Sequence, residues 1–176
     1  PVAARRTPTV AFEGIDVPVP PGGFLQATQS GEASLVNAIK TALQRIPARH
    51  VADLFCGIGS FTFALALGGD RRNVVAVESD PRAVRSLQYA VGQSSSPIKV
   101  VERDLFRRPL DKPDLSGLDL VLFDPPRAGA LAQCEYLAVD GPEWLIAVSC
   151  NPATFSRDIR VLRNGGYELK QVVPVD

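Results

Sequence analysis

Of the three cysteines in the chain, one stands where a thiol can do chemistry. Cys150 lies in Ser149-Cys150-Asn151-Pro152, where Asn suits a helix N-cap and Pro suits the first helical position. That spacing puts the thiol at a helix N-terminus, whose partial positive charge favours the nucleophilic thiolate. Burial as a small apolar residue is the commoner fate of cysteine. It is the expectation for Cys56, inside a glycine loop, and for Cys134, in a helix among Ala and Leu. A second reactive stretch is Asp124-Pro125-Pro126-Arg127-Ala128-Gly129. Its two prolines stiffen the loop and hold Asp124 and Arg127 at low entropic cost. The one histidine, His50, begins a strand, at the edge of the sheet opposite Cys150, which argues against a Cys–His hydrolase.

A third stretch, Asp53-Leu54-Phe55-Cys56-Gly57-Ile58-Gly59-Ser60, has the pattern of a strand running into a ligand-binding turn. Gly57 and Gly59 let the backbone turn sharply and approach a ligand. Glu78, ending the next strand, is placed to take two ribose hydroxyls. A dinucleotide fingerprint would want Gly or Ala at position 62, which is Thr62. Pyrophosphate is disfavoured beside Asp53, whereas the ammonium group of S-adenosylmethionine is attracted. The loop therefore reads as a site for S-adenosylmethionine rather than NAD; the alternative is an acidic residue that merely ends a strand. Asp104, ending a further strand, suits either an adenine amino group or a turn cap. A methyl donor beside a thiolate suggests methylation of uracil C5. Thiolate addition to C6 turns that poor nucleophile into an enolate able to take a methyl group, and a base then removes the C5 proton.

These residues need strand ends to carry them. Apolar residues at helical spacing predict a helix over residues 31–45. Strands are expected at 50–55, 73–79, 98–104, 118–124, 143–149 and 167–175, with helices at 61–67, 81–91, 131–138 and 152–163 between them. Continuous apolar runs such as Val74-Val75-Ala76-Val77 mark strands buried on both faces. The alternation predicts an α/β fold with a doubly wound, mostly parallel sheet. Residues 1–30 read as an extended N-terminal segment and 31–176 as a catalytic domain. The chain has 176 residues, 45% hydrophobic, enough for a full core. No apolar run approaches a membrane span and no signal peptide opens the chain. The odd, dispersed cysteines fit neither a disulfide framework nor a metal site, and suit a cytoplasmic protein. Nineteen basic and nineteen acidic residues leave no net charge, so an RNA substrate needs a local basic patch or another domain to hold it. Arg107, Arg108, Arg127, Arg157, Arg160 and Arg163 are candidates, although such sets are more often solvated surface. No obligate protein partner is evident.

Together these motifs resemble the RNA uracil-C5 methyltransferase family, whose bacterial members modify tRNA or 23S rRNA. The similarity runs over about residues 8–176, through PGGFLQATQSGEASL, DLFCGIGSFTFALA, VAVESDPRAV, DPPRAGA and VSCNPATFSRD, in family order. It implies a class I methyltransferase (Rossmann-like) fold and S-adenosylmethionine as methyl donor. It assigns the cofactor to Gln26, Phe55, Glu78, Asp104 and Asp124, and the nucleophile to Cys150. Residue reading adds Asp53, Gly57 and Gly59 to the cofactor set, and Asp124 and Arg127 to the catalytic one, and the resemblance implies Ser60 as a further, weaker cofactor contact. Two positions depart from the pattern: Thr28 and Ser60 stand where the family often has Asn. The family's general base, a Glu in a His-Val-Glu motif, and its last strand are expected past residue 176, and its RNA-binding N-terminal domain before residue 1. The Ala-Gly after DPPR favours 23S rRNA over tRNA. Two alternatives compete. One is an amino-group methyltransferase using Asp124-Pro125-Pro126, against which Arg127 stands where an aromatic residue is usual. The other is a catalytically silent cofactor-binding fragment.

Overall fold

The computed structural model describes residues 7–23, 25, 28–67 and 71–175. The chain opens with a hairpin, β1 (Thr9–Phe12) paired antiparallel with β2 (Ile15–Pro18). Its apolar residues Phe12 and Val17 are buried against the main body. Helix α1 (Gln29–Leu43) follows, with the Thr28 hydroxyl accepting from the Gly31 amide at 3.0 Å as N-cap. Then come β3 (His50–Leu54), α2 (Ser60–Leu67), β4 (Asn73–Glu78), α3 (Pro81–Gly92), β5 (Ile98–Glu102), α4 (Lys112–Leu115), β6 (Leu120–Phe123), α5 (Leu131–Asp140), β7 (Trp144–Ala147) and α6 (Pro152–Asn164). Asp80 and Asn151 cap α3 and α6, each with a proline in the first turn, a sequence signature the structure bears out.

The five main strands form one parallel sheet in the order β5-β4-β3-β6-β7. Alternate residues of each strand serve opposite faces. Ala52, Leu54, Val121 and Phe123 join Cys134, Leu137 and Leu162 from α5 and α6. Val51, Leu120 and Leu122 join Ile39 and Leu43 of α1 and Phe61 and Leu65 of α2. Both faces are covered, which is why these strands read as unbroken apolar runs. The chain winds outward from β3 to β5 and then returns to lay β6 on the other side of β3. The crevice where that reversal happens, beyond the strands' C-terminal ends, is where such sheets bind ligands.

One expectation fails, and one element was unforeseen. Residues 167–175 form no strand, and Leu169, Val172, Val173 and Val175 are exposed. Their β-prone pattern is present, but a strand exists only through hydrogen bonds to a neighbour, and β7 ends the sheet without one beside it among the described residues. The short helix α4 was not anticipated. It is nucleated by Asp111 and Asp114, whose carboxylate accepts from the Asp111 amide at 3.4 Å and holds Arg103 at 2.7 Å, and Leu115 anchors it in the core. Among the described residues no helix is long and apolar enough to cross a membrane.

Candidate active site

The rim of the sheet carries, from one side to the other, Asp104 after β5, Glu78 ending β4, the glycine loop after β3, Asp124 after β6 and Cys150 after β7. The sequence-predicted residues that the structure describes therefore converge on one edge. Gln26 lies outside the described residues.

The glycine loop begins with strain. Phe55 has φ +61°, a left-handed conformation unusual for a bulky residue and characteristic of functional sites. Gly57 and Gly59 follow at φ +57° and +101°. A Cβ on Gly59 would stand 2.7 Å from Leu87 Cδ1, so this glycine serves the packing of the loop on α3. At Gly57 a Cβ would meet nothing within 4 Å, and its face is open. Its amide donates to Glu78 Oε2 (2.9 Å), while Glu78 Oε1 accepts from the amides of Ser79 (2.6 Å) and Asp80 (2.9 Å) and from the Ser79 hydroxyl (3.1 Å). The Glu78 carboxylate thus pins two loops together, and Oε2 keeps one acceptor site for a ligand hydroxyl. The Ser60 hydroxyl donates to Glu32 Oε1 at 2.6 Å, joining α2 to α1.

Beneath the loop, Asp53 is fully buried. Its Oδ2 accepts from Thr62 Oγ1 at 2.6 Å; Oδ1 has no hydrogen-bond partner. Burial raises its pKa to about 7, and the nearby charges of Asp124 and Glu78 push the same way against the Thr62 hydrogen bond. Three carboxylates at one switch point make a field that attracts a cation. Among the described residues no His/Cys/Asp/Glu group has the arrangement to hold a metal ion.

Asp104 works locally as a turn cap: Oδ1 accepts from the amides of Phe106 (2.9 Å) and Arg107 (3.3 Å). That turn delivers Phe106, half-exposed, to a tilted contact with Phe55, ring centroids 5.5 Å apart. Sequence reasoning overlooked Phe106; the signal was an aromatic residue just past a strand-ending Asp.

The three cysteines divide as expected. Cys56 and Cys134 are buried and Cys150 is exposed. Burial pushes the Cys56 thiol well above its ordinary range and Cys134 up to about 12, which leaves both inert. Cys150 immediately precedes Asn151, whose Oδ1 caps α6 through the Ala153 amide at 3.1 Å and whose Nδ2 donates to the Arg127 carbonyl at 3.0 Å. The residue after the nucleophile candidate is therefore hydrogen-bonded to the Asp124–Gly129 loop. His50, at the start of β3 and 3.7 Å from Asp119, lies at the far end of the sheet.

The methyltransferase small domain model matches residues 22–138, a span that ends before Cys150. An uncharacterized RNA methyltransferase of Agrobacterium fabrum is 43% identical over 173 residues, covering 97% of this chain and 40% of that protein. The 23S rRNA (uracil(1939)-C(5))-methyltransferase of Shewanella denitrificans is 34% identical over 160 residues, covering 89% of this chain and 34% of that protein. The chain thus spans about two fifths of the length of these curated relatives, or less. The structure of Pyrococcus abyssi tRNA (uracil-54, C5)-methyltransferase with S-adenosyl-L-homocysteine superposes with a TM-score of 0.75 at 24% identity, covering 90% of this chain and 38% of that one. That last likeness is one of fold, the class I methyltransferase sheet, and it joins the rim geometry and the family match in one conclusion: the chain belongs to the methyltransferase small domain family.

Proposed function

We propose that this chain is the catalytic part of an S-adenosylmethionine-dependent RNA methyltransferase that modifies C5 of a uridine, in 23S rRNA rather than tRNA. The observation that carries the reading is the exposed Cys150 thiol just before α6, next to Asn151, whose side chain is hydrogen-bonded to the Asp124–Gly129 loop. The names of the relatives support RNA as the substrate class, and the Shewanella denitrificans enzyme supports uracil C5.

The residues fit the methyl donor. A buried carboxylate oxygen without a partner, flanked by two further carboxylates, suits a ligand that carries cationic groups. Asp53 and Asp124 would face its positive charge, Glu78 its ribose hydroxyls, and Asp104 its adenine amino group, with Phe55, Gly57, Gly59, Ser60 and Gln26 completing the wall. When bound, S-adenosylmethionine supplies an electrophilic methyl group.

The chain's own contribution is nucleophilic. The Cys150 sulfur forms a bond to uracil C6 as the C5–C6 π electrons move toward C5 and O4, so that C5 becomes able to take a methyl group. A base then removes the C5 proton, the C5=C6 bond re-forms, and the thiolate leaves. Arg127, on a loop stiffened by Pro125 and Pro126, meets the RNA beside the reacting base. An exposed Arg after Pro-Pro, where a stacking aromatic residue would serve an amino-group methyltransferase, favours this chemistry.

RNA containing 5-fluorouridine tests the reading, because fluorine cannot leave C5 as a cation. The full-length protein with S-adenosylmethionine should stall as a covalent complex mapped to Cys150 by mass spectrometry. Methylated product bearing N-methyl bases, with no adduct, would overturn it.

A further inference from the structure

The loop that carries Asp124 and Arg127 is held by side chains from the first two turns of α6. The Arg127 carbonyl accepts from Asn151 Nδ2 (3.0 Å) and from Thr154 Oγ1 (3.2 Å). The Ala128 carbonyl accepts from the Arg157 guanidinium (2.9 Å), and the Ala130 amide donates to Asp158 Oδ2 (2.7 Å). Asp158 is only 3% exposed, and its second oxygen accepts from Arg157 Nε at 2.8 Å. A buried carboxylate is costly unless fully paired; here Arg157 and the loop amide satisfy it. Thr154, Arg157 and Asp158 are spaced i, i+3, i+4, so one helix face meets the loop. The fit is close: a Cβ on Gly129 (φ +77°) would stand 2.5 Å from Asp158 Oδ2 and 2.6 Å from an Arg157 nitrogen. Arg157 thereby parts company with Arg160 and Arg163, which line a separate shallow depression with Phe155, Ile159 and Leu169.

We propose that Arg157, Asp158 and Thr154 are positioning residues that set the register between the two reactive loops. Helix α6 begins directly after Cys150, so fixing the Asp124–Ala130 backbone to its first turns fixes Asp124 and Arg127 relative to the thiol. The inference rests on the reading of Cys150 as nucleophile, since the thiol is the group to be aligned. The hydrogen bonds that Arg157 and Asp158 make run to the loop backbone and to each other, so their effect on the reaction is geometric. A misplacement of about 1 Å in such an arrangement costs on the order of a hundredfold in rate.

The test uses Arg157→Lys in the full-length protein. Lysine keeps the charge but cannot fork between the Asp158 carboxylate and the Ala128 carbonyl. The kcat for methyl transfer to RNA should fall by about 10- to 100-fold, while KM for RNA and the Kd for S-adenosylmethionine stay within about twofold. Thr154→Val should show the same split and Thr154→Ser should restore kcat, a pair that remains decisive if Arg157→Lys does not fold. Wild-type kcat in Arg157→Lys would overturn the proposal. So would a loss confined to KM for RNA, which is the mark of a phosphate contact. The 5-fluorouridine adduct in the wild-type protein judges Cys150 separately. A wild type that methylates RNA without an adduct fells the nucleophile reading, while the variant-to-wild-type kcat ratio still judges the register.

Discussion

On the β3–β5 side of the rim, half-buried carboxylates hold backbone amides: Glu78 takes those of Gly57, Ser79 and Asp80, and Asp104 those of Phe106 and Arg107. On the β6–β7 side the arrangement is inverted, and side chains of α6 hold the backbone of a proline-stiffened loop. The first construction gathers carboxylates at strand ends, with Glu78 reaching back 21 residues to the Gly57 amide, into an acidic cradle, the proposed seat of a cationic nucleoside. The second ties two loops that are distant in sequence and yields an exposed thiol beside an arginine. The family model reaches only the first and the start of the second. The proposed ligand site and the proposed nucleophile thus stand on neighbouring strand ends built by different means, and each should fail alone.

The sharpest way to separate them is Cys150→Ala. In the full-length protein it should abolish methyl transfer and the 5-fluorouridine adduct, yet leave S-adenosylmethionine binding, followed by calorimetry, at the wild-type Kd. The thiol is exposed, so its removal leaves no core cavity and thermal stability should move by no more than about 0.5 kcal/mol. Retained activity would show that the β6–β7 half does something other than nucleophilic catalysis.

The elements that carry both halves were legible because their signals are local. Thr28, Asp80 and Asn151 precede periodic apolar runs, and the short, turn-bounded apolar runs Val74 to Val77 and Leu120 to Phe123 read as strands covered on both faces. The division of the cysteines followed from the same placement. What escaped was relational. Nothing adjacent to Arg157 or Asp158 announces that they meet residues 128–130, and Arg157 reads as one of six arginines of a kind more often found on solvated surface. Residues 167–175 carried a strand's composition without a strand's neighbour, and α4 rests on a capping pattern too short for periodicity to detect. The engagement of Ser60 with Glu32 was equally hidden, because the two lie in different helices.

Asp53 offers a smaller, pH-dependent contrast. Its folded-state pKa of about 7 stands above the ordinary 3.8, so between those values the folded chain keeps a proton that the unfolded chain has released. The stability it contributes is fully present below about pH 4 and is lost as pH rises toward 7. Binding of a cationic ligand runs the other way, because only ionised Asp53 attracts it. Affinity for S-adenosylmethionine should therefore rise with pH, by up to about tenfold per unit on the acidic side of 7. Asp53→Asn should flatten that rise and lower affinity at pH 8, with Thr62 still offered an acceptor. A wild-type affinity independent of pH from 6 to 8 would place the attraction elsewhere on the rim.

The smallest expected effect falls on Ser60, which the motif reading puts in the cofactor wall and whose hydroxyl the structure gives to Glu32. Removing one partner of a half-buried hydrogen bond costs about 1 kcal/mol, so Ser60→Ala should lower the thermal midpoint by a few degrees. If the hydroxyl serves only to join α2 to α1, Glu32→Ala, which removes the acceptor, should show a similar loss and neither variant should change the Kd for S-adenosylmethionine. If Ser60→Ala raises that Kd and Glu32→Ala does not, the hydroxyl's remaining lone pair takes a donor from the ligand. The cradle would then extend past the carboxylates to the first turn of α2, and its construction would rest on side chains as well as backbone, narrowing the contrast with the Cys150 half.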